Sequence, residues 1–305
     1  MFHGTVIRLA LGFWAFFLSS PFLWSQITPT DVHRLASDIN YSVKRAYDIN
    51  QTFEKIPLSQ SIKPRNVYQK VCYLHLEYGQ LHPGFTNQAR INGLLNRDTK
   101  TIGPGDVYRL LDEVAEDLKK RGEYTAAPRS RGSKSPSDVF QMLRAVSHTL
   151  KTAAGQTQKT AYWGPSRVFM LNYTKIQPIL TNLAETRGTQ RDAFQLPKEA
   201  AENITPQHIF AFQLTLYAEI ARYYQTSAGY QPIEFAPFSD FANLSPEDVF
   251  DLSLIILGEL KVLHGSYDQG AETFEAWRNS VGMVKPGHVY YLLRYNFFLA
   301  VQTLK

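Results

Sequence analysis

Four aspartates and two histidines of this 305-residue chain hold equivalent places in a repeated pattern. Carboxylate and imidazole are side chains that bind metals, hold anions and move protons. Asp31, Asp106, Asp138 and Asp248 each stand two residues after a proline and directly before a valine. His208 and His288 take the same place in two further copies, before Ile209 and Val289. If the fold gathered these positions, His208 and His288 together with Asp248 could bind a metal or an anion. Each also has a local role that needs no ligand. A carboxylate or imidazole at the third position of a helix can reach back to the N–H of the capping residue and face the positive helix end. The expectation is therefore capping, with no metal and no cofactor.

The pattern is clearest in Leu244-Ser245-Pro246-Glu247-Asp248-Val249-Phe250. Ser245 suits the N-cap, Pro246 the first helical position and Asp248 the third. Leu244 and Val249 form a hydrophobic staple. Eight copies occur, with prolines at Pro29, Pro64, Pro104, Pro136, Pro165, Pro206, Pro246 and Pro286. Their spacings are 35, 40, 32, 29, 41, 40 and 40 residues. A fixed motif at a period near 40 predicts a repeat architecture. Proline and the β-branched residue are kept in all eight. A ring follows in seven: Tyr68, Tyr108, Phe140, Phe169, Phe210, Phe250 and Tyr290, with His33 in the first copy. What recurs is what positions and packs a helix, so these rings are expected between neighbouring helices.

About 20 residues of helical periodicity follow most motifs, as in Val249, Leu252, Ile256, Leu260 and Leu263. The fold class expected is all-α: eight degenerate helix-plus-linker units, arranged as two four-helix bundles or as one helical array. The fifth unit departs from the pattern. Its cap would be Gly164, Arg167 would stand at a positive helix end, and Pro178 should kink or end the helix. The linkers carry Pro, Gly and isolated rings. Phe235, Phe238, Phe241 and Trp277 are the candidate ligand-binding aromatics, against the alternative that they pin linkers onto helices. The basic stretch 127–134 should be solvated and mobile, and a polar stretch at 154–160 should divide units one to four, residues 26–155, from units five to eight, residues 156–305.

Residues 1–25 read as a secretory signal: Arg8, an apolar run from Leu9 to Leu18, and Ser25 before the cut. An uncleaved anchor is the alternative. Cys72 is the only cysteine, so no internal disulfide forms. Five Asn-x-Ser/Thr sequons, at Asn40, Asn50, Asn172, Asn203 and Asn243, would matter only in a eukaryotic secretory pathway. The net charge of +5 is spread along the chain and does not call for nucleic acid, but leaves open contact with an anionic envelope surface. No nucleophile elbow, P-loop or zinc-protease motif occurs. The function expected is a secreted or periplasmic, non-enzymatic binding or scaffold protein with a protein partner or small ligand. The alternatives are a ligand-sensing domain beside a membrane receptor and an extracytoplasmic enzyme whose site is assembled from distant residues.

Overall fold

A computed structural model of the chain describes residues 27–53, 57–155, 160–189, 192–225, 231–235, 243–267 and 269–304. The proposed signal, Phe238 and Phe241 lie outside them. The described residues are all-helical and form no strand, only an isolated bridge between Ser59 and Phe235. The long helices are α1 (Pro29–Ala46), α2 (Pro64–Leu81), α4 (Pro104–Lys120), α5 (Pro136–Ala153), α8 (Pro206–Tyr224), α9 (Pro246–His264) and α11 (Pro286–Thr303). Shorter α3 (Gln88–Leu95) and α10 (Ala271–Val281) lie in linkers. Helix α6 (Thr160–Leu171) continues through a π turn, Asn172–Ile176, into α7 (Gln177–Thr186). Among the described residues no helix is long and apolar enough to cross a membrane.

Seven helices start at the motif proline. In each, the third-position side chain accepts a hydrogen bond from the cap N–H: Asp31 from Thr28 at 3.0 Å, Asn66 from Lys63 at 2.9 Å, Asp106 from Gly103 at 3.0 Å and Asp138 from Ser135 at 2.7 Å. His208 Nδ1 accepts from Thr205 at 3.2 Å, Asp248 from Ser245 at 2.7 Å and His288 Nδ1 from Lys285 at 3.0 Å. The cap hydroxyl is the dispensable half of the box, which is why lysine and glycine are tolerated there.

Helix α1 packs on α5 and α4, and α2 packs on the same two, so α1 and α2 stand diagonally in a four-helix ring. Pro29, Pro64, Pro104 and Pro136, with Val32, Val67, Val107 and Val139, line one apolar depression. All four helices therefore start at the same end and run parallel. An 18-residue helix is about 27 Å long, so returning to its start needs at least about eight extended residues. Parallel packing thus accounts for linkers such as 47–63 and 121–135. Gathering four positive helix ends is offset by aspartates at the third position of α1, α4 and α5.

A second ring has α8 on α11 and α9, with α6 and α7 closing it against both. Its helices are parallel too. A Cβ on Gly164 would stand 2.5 Å from Pro246 Cβ, Asn172 Nδ2 donates to Ser253 Oγ at 3.0 Å, and Gln213 bonds the same hydroxyl. The two rings meet along α2 and α9, which run antiparallel: Lys70 faces Asp251 while Asn66 faces Ile255 and Glu259. Gly258 permits this approach, since a Cβ there would be 2.8 Å from Asn66 Nδ2. Every residue of α9 from Asp248 to Lys261 is buried, making it the central helix of the molecule.

Two expectations are corrected. Gly164 does not cap the fifth unit, because α6 begins at Thr160 and carries Pro165 inside it. The glycine instead allows contact with the start of α9. Pro178 does not end the helix either; the π turn immediately before it opens the hydrogen-bond ladder where the proline lacks a donor. Stretch 127–134 is exposed over most of its length, as expected, and is tied to α1 at a few points. Asp38, 4 % exposed in α1, accepts from Ala127 N at 2.8 Å and pairs with Arg129 at 3.3 Å, and Lys134 N donates to Thr30 Oγ1 at 2.9 Å. A buried carboxylate needs donors, and the linker supplies them.

Candidate functional site

The largest concentration of chemically capable side chains lies between the two rings. Helix α2 contributes Lys70 and Glu77, one face two turns apart. Helix α5 contributes Arg144 and Lys151 at the same spacing, α6 contributes Arg167, and α9 contributes Glu247, Asp248 and Asp251. Four cations thus meet four carboxylates. Lys70 Nζ donates to Asp251 Oδ1 at 2.7 Å and Glu247 Oε1 at 3.0 Å. Arg144 Nε donates to Asp251 Oδ2 at 2.9 Å, and its Nη2 donates to Asp248 Oδ1. Lys151 bridges Glu247 and Glu77, the latter at 3.3 Å. Arg167 donates to Glu77 Oε1 at 2.9 Å, and Ser147 Oγ donates to Glu77 Oε2. A further pair extends the line, with Arg65 bidentate on Glu259 at 2.8 Å for both contacts and Asn66 donating to the same carboxylate at 3.1 Å.

Rings floor this network. Phe250 meets the edge of Tyr73 at a centroid distance of 5.0 Å, and the Arg167 guanidinium lies 4.2 Å above the Phe250 ring. Burial works against ionisation at Glu247, but Lys151, Lys70 and Arg167 outweigh it and hold the carboxyl well below its ordinary range. Glu77 is lowered by the same contest, with Lys151 and then Arg167 prevailing over burial. Burial opposes the charge on Lys70, and Asp251 and Glu247 more than restore it. Asp251 goes the other way, since burial outweighs Lys70 and Arg144 and raises its carboxyl, while Glu247, Glu77 and Lys70 are held in their charged forms. Paired in this way, they serve as cross-braces: each links a helix of one ring to a helix of the other.

The positions singled out in the sequence fall elsewhere, apart from Asp248. That residue combines both roles, its Oδ2 on the Ser245 cap and its Oδ1 on Arg144. His208 and His288 are each turned to their own caps and are not brought into one site with Asp248. Among the described residues no group of three or more His, Cys, Asp or Glu is placed to hold a metal ion. Phe235 packs edge-on against Tyr217 at 5.1 Å. Trp277 stacks on Phe169 at 4.3 Å and donates its indole N–H to the Pro197 carbonyl at 2.8 Å. Both pin linkers.

Single members of the network left a signal in the sequence, though their pairing did not. Lys70/Glu77 and Arg144/Lys151 are charges seven residues apart, hence on one face of a helix, and Arg167 is the residue that fitted its helix end badly. Comparison of the chain with protein-family models, with curated proteins and with solved structures finds no match.

Proposed function

We propose that the chain is a non-enzymatic binding or scaffold protein of the cell envelope, a tandem pair of four-unit bundles built from eight helix-plus-linker repeats. The repeat reading draws support from ring order. In the first ring, units one and two are diagonal and units three and four lie between them. In the second, units five (α6–α7) and six (α8) are diagonal, with units seven (α9) and eight (α11) between. Residues 26–155 and 156–305 then correspond unit for unit.

The observation that carries the scaffold reading is the neutral charge network from Lys70 to Asp251. Its charged groups brace the two bundles at a fixed antiparallel orientation, which suits a protein that presents outer faces at set spacing. Placement in the envelope rests on residues 1–25 alone, and the occupant of the outer faces would be a protein or a small ligand.

Cell fractionation with photo-cross-linking from exposed sites on α1, α4, α8 and α11 tests this. The expected result is an exported chain beginning near Gln26 and joined to a discrete protein partner. A cytosolic chain with Met1 intact overturns the envelope placement, and turnover of a small molecule by the purified chain overturns the non-enzymatic reading.

A further inference from the structure

The parallel packing of the first ring gathers helix ends as well as helix starts. Tyr47, His82 and Arg121 are the C-cap residues of α1, α2 and α4. The Tyr47 ring stands edge-on to the His82 imidazole at a centroid distance of 6.3 Å, and Tyr78 of α2 lies against it at 4.5 Å. Tyr78 Oη donates to Asp117 Oδ2 at 2.8 Å, and Arg121 Nε donates to the same oxygen at 2.6 Å. The charged groups that face the imidazole are thus Asp117 and Arg121, already paired with each other, and Glu123 just beyond them in the linker.

His82 is 5 % exposed, and its Nε2 stands 3.7 Å from Glu123 Oε2. Both atoms are buried, and neither has a hydrogen-bond partner among the described residues. Buried polar atoms are nearly always bonded, so two that face each other without a bond need an account. The gap is too long for an N–H···O bond. It suits two acceptors, a carboxylate oxygen and an imidazole nitrogen that carries no hydrogen. One proton supplies the missing donor. The last carbonyls of three parallel helices add partial negative charge at this end, which favours a cation. Fixed aspartates offset the helix starts; here the group that answers the helix ends is one whose charge depends on pH.

We propose that His82 is an acid-operated latch: Nε2 takes a proton from solvent and donates it in a hydrogen bond to Glu123 Oε2, tying the end of α2 to the linker that leaves α4. The same linker is held further along by Asp38 and Ser42 of α1, so the latch adds a tie at its start. Burial and then Arg121 keep the proton affinity of the imidazole below the ordinary 6.5, while Glu123 and Asp117 pull the other way. The latch therefore closes on the acid side of that value. The folded chain binds this proton less readily than the unfolded one, so stability is lost as pH falls through the folded value, and Glu123 limits the loss.

An NMR titration of the imidazole nitrogens in the full chain tests it, with the His82 signal assigned from His82→Gln. The expected result is that His82 titrates below 6.5 and that its acid form carries an Nε2 hydrogen protected from exchange with water. Amide exchange at residues 123–125, corrected for the intrinsic effect of pH, should slow as that form appears. Glu123→Gln removes the charge at nearly constant size, and proton binding at His82 should weaken about tenfold. Glu123→Ala removes the acceptor, and the protection of the Nε2 hydrogen should go with it. The altered side chain is partly exposed, so circular dichroism of both variants should match the parent. An Nε2 hydrogen already bonded at neutral pH, a His82 that stays neutral until the chain unfolds, or a titration that Glu123→Gln leaves unchanged would each overturn the proposal. So would faster exchange at 123–125 on protonation, since the end would then open rather than close. None of these outcomes bears on whether the chain is exported or catalytic.

Discussion

Lys70 Nζ lies 2.7 Å from Asp251 Oδ1 across the two rings, with the side chains 1 % and 0 % exposed. Two charges removed from water cost more than their attraction returns unless the remaining hydrogen bonds are filled. Here Glu247 takes a second bond from Lys70, and Arg144 fills the second oxygen of Asp251. The pair therefore specifies how the bundles meet more than it adds to stability.

That account separates single from double substitution. Lys70→Met should destabilise by about 3–5 kcal/mol, because it leaves buried carboxylates one cation short. Lys70→Met with Asp251→Leu restores neutrality in the remaining network and should recover most of the loss. Urea denaturation of the three chains measures this; a double variant weaker than the single one would show that the pair is a net source of stability.

The ring at the fifth helical position gives a second contrast. Phe250 is 1 % exposed between Tyr73 and Arg167, so Phe250→Ala should cost roughly 3–5 kcal/mol. Phe298→Ala on the open face of α11 should leave the unfolding midpoint almost unchanged. Equal losses would mean that Phe298 is covered by something within the chain.

Capping yields a smaller effect in a stated order. Ser135 Oγ accepts from Asp138 N at 3.2 Å, completing both halves of the box, so Ser135→Ala should cost about 1 kcal/mol. Lys285→Ala should be nearly silent, since the bond that caps α11 runs from the backbone N–H of residue 285 to His288 Nδ1. Thermal melts of both variants decide it, and a larger shift for Lys285→Ala would contradict the role given to the third residue.

Helix starts were legible because capping is local chemistry written in consecutive residues. The buried apolar stripes, such as Val107, Leu110, Val114 and Leu118, were legible for the same reason. The parallel direction of the helices was present in the linker lengths, which exceed what antiparallel neighbours need. The charge network was not legible as a network, because its members come from four helices and only packing brings Lys70 to Asp251. The ties that hold the exposed linker 127–134 to α1 were not legible, because their main partner, Asp38, looks on sequence alone like an ordinary surface acid of α1.

The final prediction concerns Lys261, in α9. It is 2 % exposed, and its ammonium donates to the Leu95 carbonyl. Burial lowers its pKa to about 8 from the ordinary 10.5; Cys72 opposes this and Lys175 adds to it. Between these two values the unfolded chain holds a proton that the folded chain has released. Stability therefore rises with pH across that window, and below it the folded protein bears the full cost of a buried charge, on the order of 3 kcal/mol. Lys261→Met removes the charge and fills the space with a chain of similar length, at the expense of one bond to Leu95. The variant should be more stable than the parent at pH 7, with the gap closing as pH approaches 10. Urea denaturation of both chains from pH 7 to 10 gives the difference curve, in which other titrating groups cancel. Parallel stability profiles would show that Lys261 keeps its ordinary proton affinity in the folded chain and that the charge is compensated where it lies.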